Sequence, residues 1–540
     1  MANLIEAEVV IVGSGVAGAL IADQLASAGV KVAILEAGQT IDRQEAVQRY
    51  RNALVKVPES AYAHPAQAMF PVTDKIDDWY RQRGPDHFKS TYLKAVGGTT
   101  WIWLGTCLRY LPNDFQLQSL YGQGVDWPLS YAELEPYYSQ AERELGVAGD
   151  SRQDLDSPRS LGFSQPGLAQ TYLDQAYVKA LAGSPYRVSA TPQARNSVPY
   201  QGRPPCCGSA SCIPVCPVQA KYDATVHLAR ALKAGARLHE KTTAVTLEVD
   251  EDSNIAGVRF LRWDRSAGIA KARVYVIACH AIETPRLLLN SRSDQWPQGI
   301  ANSSDQVGRN LMDHPIQLSW ALAEKPVYPY RGPISTSGIE NLRDGVFRRQ
   351  RGAIRIQISN DGWSWPTGAP NSTVHALTQQ GLRGKALETA LADETSRHLQ
   401  LAALIEQEPD PANRISLHAH ERDYNGVLLP QIDYRVGPYA RQGLAAAKLA
   451  HQDIFERLKA SQIQHASQPQ GAGHIIGTTR MGENPKTSVV DAELRSHDHP
   501  NLYLAGSSVF PTGGTANPTL TIAALSLRSA VSIKKRLEEL

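Results

Sequence analysis

The run Val9-Val10-Ile11-Val12 leads directly into Gly13-Ser14-Gly15-Val16-Ala17-Gly18, and this junction constrains the fold more than any other feature of the chain. Four β-branched residues in succession predict a strand buried on both faces. Ala17 to Ala28 follows with a helical pattern and Lys31 to Leu35 reads as a second strand, so the N-terminus is a βαβ unit. Glycines at 13, 15 and 18 permit the tight turn and bring backbone N–H groups and a helix N-terminus up to a pyrophosphate. Glu36, 18 residues after Gly18, ends the second strand. A carboxylate there accepts hydrogen bonds from a ribose hydroxyl and repels a 2′-phosphate. A dinucleotide, FAD or NAD, is expected at this site, and the fingerprint is common to both.

The rest of the chain extends this α/β pattern. Ala244 to Val249, Ile255 to Leu261 and Ala272 to Ala278 read as three strands of a meander covering the nucleotide sheet. A last strand, Leu502 to Ala505, leads through a Pro-Gly-rich loop into a closing helix that begins around Asn517. The nucleotide domain is therefore expected to be discontinuous, built from residues 1–316 and 468–540. Between them, residues 317–467 read as an α+β substrate domain on an antiparallel sheet. Strands Arg414 to Leu417 and Leu428 to Tyr434 flank a turn at Asp423 to Gly426, and a helix runs from Pro438 to Ala460.

At 540 residues, with 42% hydrophobic and 20% charged, the chain can bury more than one core. A net charge of +2 without a long basic run gives no field that would draw nucleic acid, so a small-molecule partner is expected. No apolar run reaches bilayer length, which predicts no direct membrane insertion, and Val9 to Val12 is too short for a secretory signal. Four of the six cysteines crowd into one segment, Cys206, Cys207, Cys212 and Cys216. The final Cys216-Pro217 gives residues 204–218 the look of an iron–sulfur loop. Zinc suits it less, because adjacent cysteines rarely reach one tetrahedral ion; a local disulfide or buried thiols are the other readings.

Four further segments carry a family resemblance: Ala95-Val96-Gly97-Gly98-Thr99-Thr100-Trp101, the run Ala281 to Leu288, the run Val307-Gly308-Arg309-Asn310-Leu311-Met312-Asp313-His314-Pro315, and the stretch His474 to Ala524. Together they resemble the glucose-methanol-choline oxidoreductases, and within them the catalytic subunits of bacterial FAD-dependent sugar and polyol dehydrogenases of the glucose and fructose type. The resemblance implies FAD rather than NAD, in a Rossmann-like domain roofed by the sheet of a substrate domain. It implies cofactor contacts at Gly97, Gly98 and Thr99, where glycine lets backbone pass close to the flavin, and at Gly506, Pro518 and Thr519. Oxidising an alcohol needs a base for the hydroxyl proton, and an unprotonated imidazole serves. His474 matches the family's base and Asn517 its partner. Asn517-Pro518 also reads as a helix cap with proline in the first turn, aiming a helix N-terminus at the flavin. Where related enzymes carry a histidine that bonds covalently to flavin, this chain has Ile102, so dissociable FAD is expected.

The resemblance also implies a three-iron, four-sulfur cluster on Cys206, Cys212 and Cys216, with Cys207 spare and Cys107 and Cys279 in the core. A cluster implies a dehydrogenase that hands electrons to a carrier. Related subunits work with a small subunit and a cytochrome c, which points to the periplasm by co-export, or else to the cytoplasm. The competing readings are an oxidase using oxygen, a non-catalytic flavin-bearing subunit, and an NAD-dependent dehydrogenase.

Overall fold

The computed structural model describes residues 3–54, 56–68, 78–360 and 371–540. Its centre is a five-stranded sheet in the order Leu502–Leu504, Val274–Ile277, Val9–Val12, Val32–Leu35 and Arg237–His239, with every pair parallel. All residues of Val9–Val12, Val32–Leu35 and Val274–Ile277 are buried, as a parallel sheet covered on both faces requires. Each fully buried valine, isoleucine or leucine contributes about 1.5–3 kcal/mol. The helix Val16–Ser27 leaves the glycine turn and packs against Thr225–Lys233 and the closing helix Thr519–Glu539. Both ends of the chain thus meet in one sheet.

The meander differs from the sequence expectation at its third strand. Thr242–Val249, Ile255–Arg262 and Ala267–Lys271 form it, with Asn3–Glu6 added at the far edge. Val274–Ile277 instead pairs with Val9–Val12. The reading of 272–278 as the third meander strand put a central strand in the wrong sheet: Val274–Ile277 is apolar and buried throughout, which suits a central parallel strand better than a half-exposed one, and the meander strand lies just before it.

A second sheet, seven-stranded, follows the order Ser461–His465, Pro315–Leu322, His398–Ile405, Ile354–Ser359, Ser337–Ile339 and Val188–Ala190, with Gln470–Gly471 also on Pro315–Leu322. All its pairings are antiparallel. Period-2 alternation assigns its faces. Ile354, Ile356, Ile358, Leu399, Leu401, Ala403 and Ile405 are buried in a core with the helix Pro438–Arg457. Gln357, Ser359, Gln400, Ala402 and Leu404 line a cavity on the other face. Arg414–Arg422 and Leu428–Asp433 do pair around the Asp423–Gly426 turn, but they form a separate three-stranded sheet with Arg81–Arg83.

Candidate active site

One cavity of about 1320 Å³ joins the glycine turn to the C-terminal segment. At one end lie Gly13, Gly15 and Glu36. Gly13 has φ +100°, and a Cβ there would sit 2.4 Å from the Ala278 carbonyl oxygen. A Cβ on Gly18 would sit 2.0 Å from the carbonyl oxygen of Gly13, so Gly18 serves helix–strand packing and does not line the cavity. Glu36 is buried and accepts hydrogen bonds from the Ser14 N–H (3.0 Å), the Ser14 hydroxyl (2.6 Å) and the Gly38 N–H (2.9 Å). Burial raises its carboxyl above the usual range, and these donors oppose the rise.

The Gly97-Gly98 pair owes its glycines to this same turn. The Ser14 hydroxyl oxygen accepts the Gly97 N–H at 3.2 Å, and a Cβ on Gly98 would stand 3.1 Å from Gly15 Cα. Both residues have positive φ, +94° and +56°. Gly98 and Thr99 line the cavity, as does Ile102, whose side chain has no atom that bonds to a flavin.

At the other end, Gly506, Pro518 and Thr519 line the wall beside His474 and Asn517. The closing helix starts at Thr519, with Pro518 in the cap position. Asn517 does not cap it through its side chain: the amide reaches His474 instead, with Nδ2 3.1 Å from Nε2. The buried Asn517 Oδ1 has no partner.

Two residues left without a role in the sequence reading complete the site. His314 Nδ1 lies 2.8 Å from His474 Nδ1, and His314 Nε2 lies 3.2 and 3.0 Å from the carbonyl oxygens of Gly513 and Gly514. Carbonyls only accept, so His314 carries its proton on Nε2 and offers the Nδ1 lone pair. His474 must then hold its proton on Nδ1 and present a bare Nε2 to Asn517 and the cavity. Burial, with the neighbouring His314 and Arg355, holds the His474 imidazole well below the usual range. Asp313 accepts the backbone N–H groups of His314, His474 and Gly473 at 2.7, 2.8 and 3.1 Å, fixing where the base hangs. Burial pushes its carboxyl up to about 6. The sequence signal for this pair was Asp313-His314 directly before Pro315, although nothing local says that His314 lies against a residue 160 positions later.

His314→Phe removes the acceptor that sets the tautomer while keeping an aromatic ring. Flavin reduction is expected to slow on the order of a hundredfold, the scale of a misplaced reacting group. KM should change little, as steady-state and stopped-flow kinetics would reveal.

All six thiols of the chain are free, and of the four in the cysteine loop Cys212 and Cys216 are buried, Cys206 is half-buried and Cys207 is exposed. The Gly208 N–H points at Cys206 Sγ and the Lys221 N–H at Cys216 Sγ, both at 3.4 Å. A single tetrahedral ion with Zn–S bonds of about 2.3 Å would hold its sulfurs about 3.8 Å apart. Among the described residues, only Asp23, Glu144 and His227 gather three ligand atoms within 4.8 Å, so the cysteines are spaced too widely for one ion. Arg230 pairs with both carboxylates of that other group. Ser211, Ile213 and Pro214 of the cysteine loop line the large cavity.

Two family models described as GMC oxidoreductase match residues 8–316 and 409–526. The chain is 38% identical to the fructose dehydrogenase large subunit of Gluconobacter japonicus, covering 99% of both chains. It is 32% identical to 6'''-hydroxyparomomycin C oxidase of Streptomyces lividus, covering 98% of this chain and 92% of that one. The crystal structure of pyridoxine 4-oxidase from Mesorbium loti superposes with a TM-score of 0.62 at 17% identity, over 98% of this chain and 99% of the other, a likeness of fold.

Proposed function

The chain is a GMC oxidoreductase, an FAD-dependent enzyme acting on CH–OH groups, and from that premise we propose that it oxidises a sugar or polyol hydroxyl and passes the electrons through an iron–sulfur cluster to an external carrier. The observation that carries the reading is the His314–His474–Asn517 relay, which presents an unprotonated Nε2 to the cavity that begins at Glu36. The residues suit FAD: Glu36 lines the cavity where its carboxylate would hold the ribose hydroxyls, the Cβ direction of Gly15 is open, and Asn517 Oδ1 is buried without a partner. When bound, FAD accepts the hydride that leaves the alcohol carbon.

The chain's own groups do the rest. His474 Nε2 takes the hydroxyl proton, and the Asn517 amide, already within reach of that nitrogen, donates to the same substrate oxygen and holds it in line. The N-terminus of Thr519–Glu539, at the cavity wall, favours negative charge developing beside it. Overhead, the polar set Gln357, Ser359 and Gln400 offers hydrogen bonds to a polyhydroxylated substrate.

Three thiols on one loop, too widely spaced for a single ion, suit a multi-iron cluster on Cys206, Cys212 and Cys216. On this reading the enzyme works with a small subunit and a cytochrome c in the periplasm, reached by co-export. Among the described residues no helix is long and apolar enough to cross a membrane. Anaerobic absorption spectra with iron and sulfide analysis test the proposal. Flavin bands, about three irons per chain and bleaching by a sugar or polyol are expected. A flavoprotein without iron that oxygen rapidly reoxidises would move it to the oxidase reading, which the Streptomyces relative favours.

Two further outcomes follow from the same geometry. With Ile102 at the wall, acid precipitation should release the flavin into the supernatant rather than leave it on the protein. The acid limb of the rate of flavin reduction should lie below the ordinary imidazole value of about 6.5. The sign follows from the lowered His474: a base with a depressed pKa stays unprotonated to lower pH. Stopped-flow rates across pH 5 to 8 check it, and a limb centred at or above 6.5 would count against the relay.

A further inference from the structure

Arg195 and Lys221 are both about 1% exposed, yet neither forms a salt bridge with a carboxylate among the described residues. They face each other across an antiparallel backbone bridge at the base of the cysteine loop, where the Cys206 N–H is tied to the Asn196 carbonyl at 2.8 Å. Lys221 Nζ donates to three carbonyl oxygens, those of Trp101 (2.9 Å), Trp103 (2.6 Å) and Cys212 (2.7 Å). Arg195 Nη2 donates to the Leu104 carbonyl at 2.9 Å, and its buried Nη1 has no partner at all. Asp223, the carboxylate that acts on Lys221, is already engaged by Arg43, Gln219 and Thr225. A third cation, Arg203, is also buried and leaves Nε and Nη1 unpaired.

Burying a cation without a counter-charge is unfavourable, and burying two that repel each other is more so. An anion beside such a pair offsets that cost. What these cations stand beside is the cysteine segment: Lys221 Nζ donates to the Cys212 carbonyl at 2.7 Å, the Lys221 N–H points at Cys216 Sγ at 3.4 Å, and Asn196, next to Arg195, holds the Cys206 N–H at 2.8 Å. Neutral thiols do not supply that charge, whereas three thiolates around iron and sulfide do.

Resting on the cluster reading above, we infer that Arg195 and Lys221 are fixed counter-charges that hold the metal–sulfur group in the cysteine nest and raise its reduction potential. The alcohol gives its two electrons together as hydride to the flavin; a cluster held by Cys206, Cys212 and Cys216 would take them from the reduced flavin one at a time, each adding one negative charge beside Arg195 and Lys221 before an external one-electron acceptor removed it. A fixed positive charge favours the more negative, reduced form. Both cations also bond to the segment Trp101–Leu104, of which Ile102, Trp103 and Leu104 line the flavin cavity. They therefore tie the cavity wall to the cysteine segment.

The test is an EPR-monitored redox titration of the purified holoenzyme, with iron and sulfide analysis of each variant. Arg195→Gln keeps hydrogen-bonding capacity without charge. The expected result is a midpoint lowered by at least a tenfold change in the one-electron equilibrium, about 59 mV, or loss of iron, with Arg195→Lys restoring most of the wild-type value. Lys221→Gln should move the same way. A cluster present in both charge-removing variants at unchanged potential overturns the inference, as does loss of iron in Arg195→Lys equal to that in Arg195→Gln. Wild-type protein free of iron and sulfide overturns the cluster reading itself, a distinguishable failure.

Discussion

His474→Ala is expected to retain FAD and to slow its reduction by substrate at least about a hundredfold, the lower end of what a positioned general base supplies. The separation of the two effects comes from where contacts lie. The glycine turn, Glu36 and the Gly97-Gly98 turn hold one another through Ser14 at the opposite end of the cavity, and none of them touches the imidazole. Loss of the ring removes the only bare nitrogen that the relay presents. It also strands the Asn517 amide and His314 Nδ1, both of which lose their partner. Stopped-flow mixing with substrate under anaerobic conditions measures the reduction step directly, and reduction at the wild-type rate would sink the assignment. His474→Gln, which restores a polar group without a comparable base, should recover little of the loss.

Arg348→Met should cost about 3–5 kcal/mol of stability, the scale of breaking a buried ion pair by removing one partner. Arg348 is fully buried and bridges three carboxylates: Glu406 (3.1 and 2.5 Å), Asp114 (2.8 Å) and Asp344 (3.0 Å). Glu406 follows a strand of the seven-stranded sheet, whereas Asp114 packs against Gly514, whose carbonyl holds His314. The guanidinium thus ties the substrate sheet to the loop that sets the tautomer of the base. Without it, Asp114 and Glu406 remain as buried carboxylates facing each other, and burial already raises Asp114 against the pull of Arg348. Urea unfolding should move to a lower midpoint. The double variant Arg348→Met with Glu406→Leu should recover part of the loss, because the uncompensated charge goes with the second change. A single variant as stable as wild type would refute the account.

The sequence by itself determined the βαβ unit and the glycine turn with Glu36, placed four cysteines on one loop, and pointed to His474 and Asn517 only through the family resemblance. Each is a local pattern: a buried strand reads as a β-branched run, and a phosphate-binding turn needs glycines at fixed spacing. Asp423 to Gly426 was legible as a turn for the same reason. Which sheet a strand joins was not local. The strand read in 272–278 joins the central sheet and not the meander, and Arg414–Arg422 with Leu428–Asp433 proved to be a sheet apart from the one that roofs the cavity. Only the tertiary structure decided that Gly98 must meet Gly15, that His314 fixes the proton on His474, and that Arg195 and Lys221 stand uncompensated beside the cysteines. These depend on contacts between residues far apart in the chain, and a side chain's protonation state or unpaired charge is set by its neighbours in space rather than in sequence.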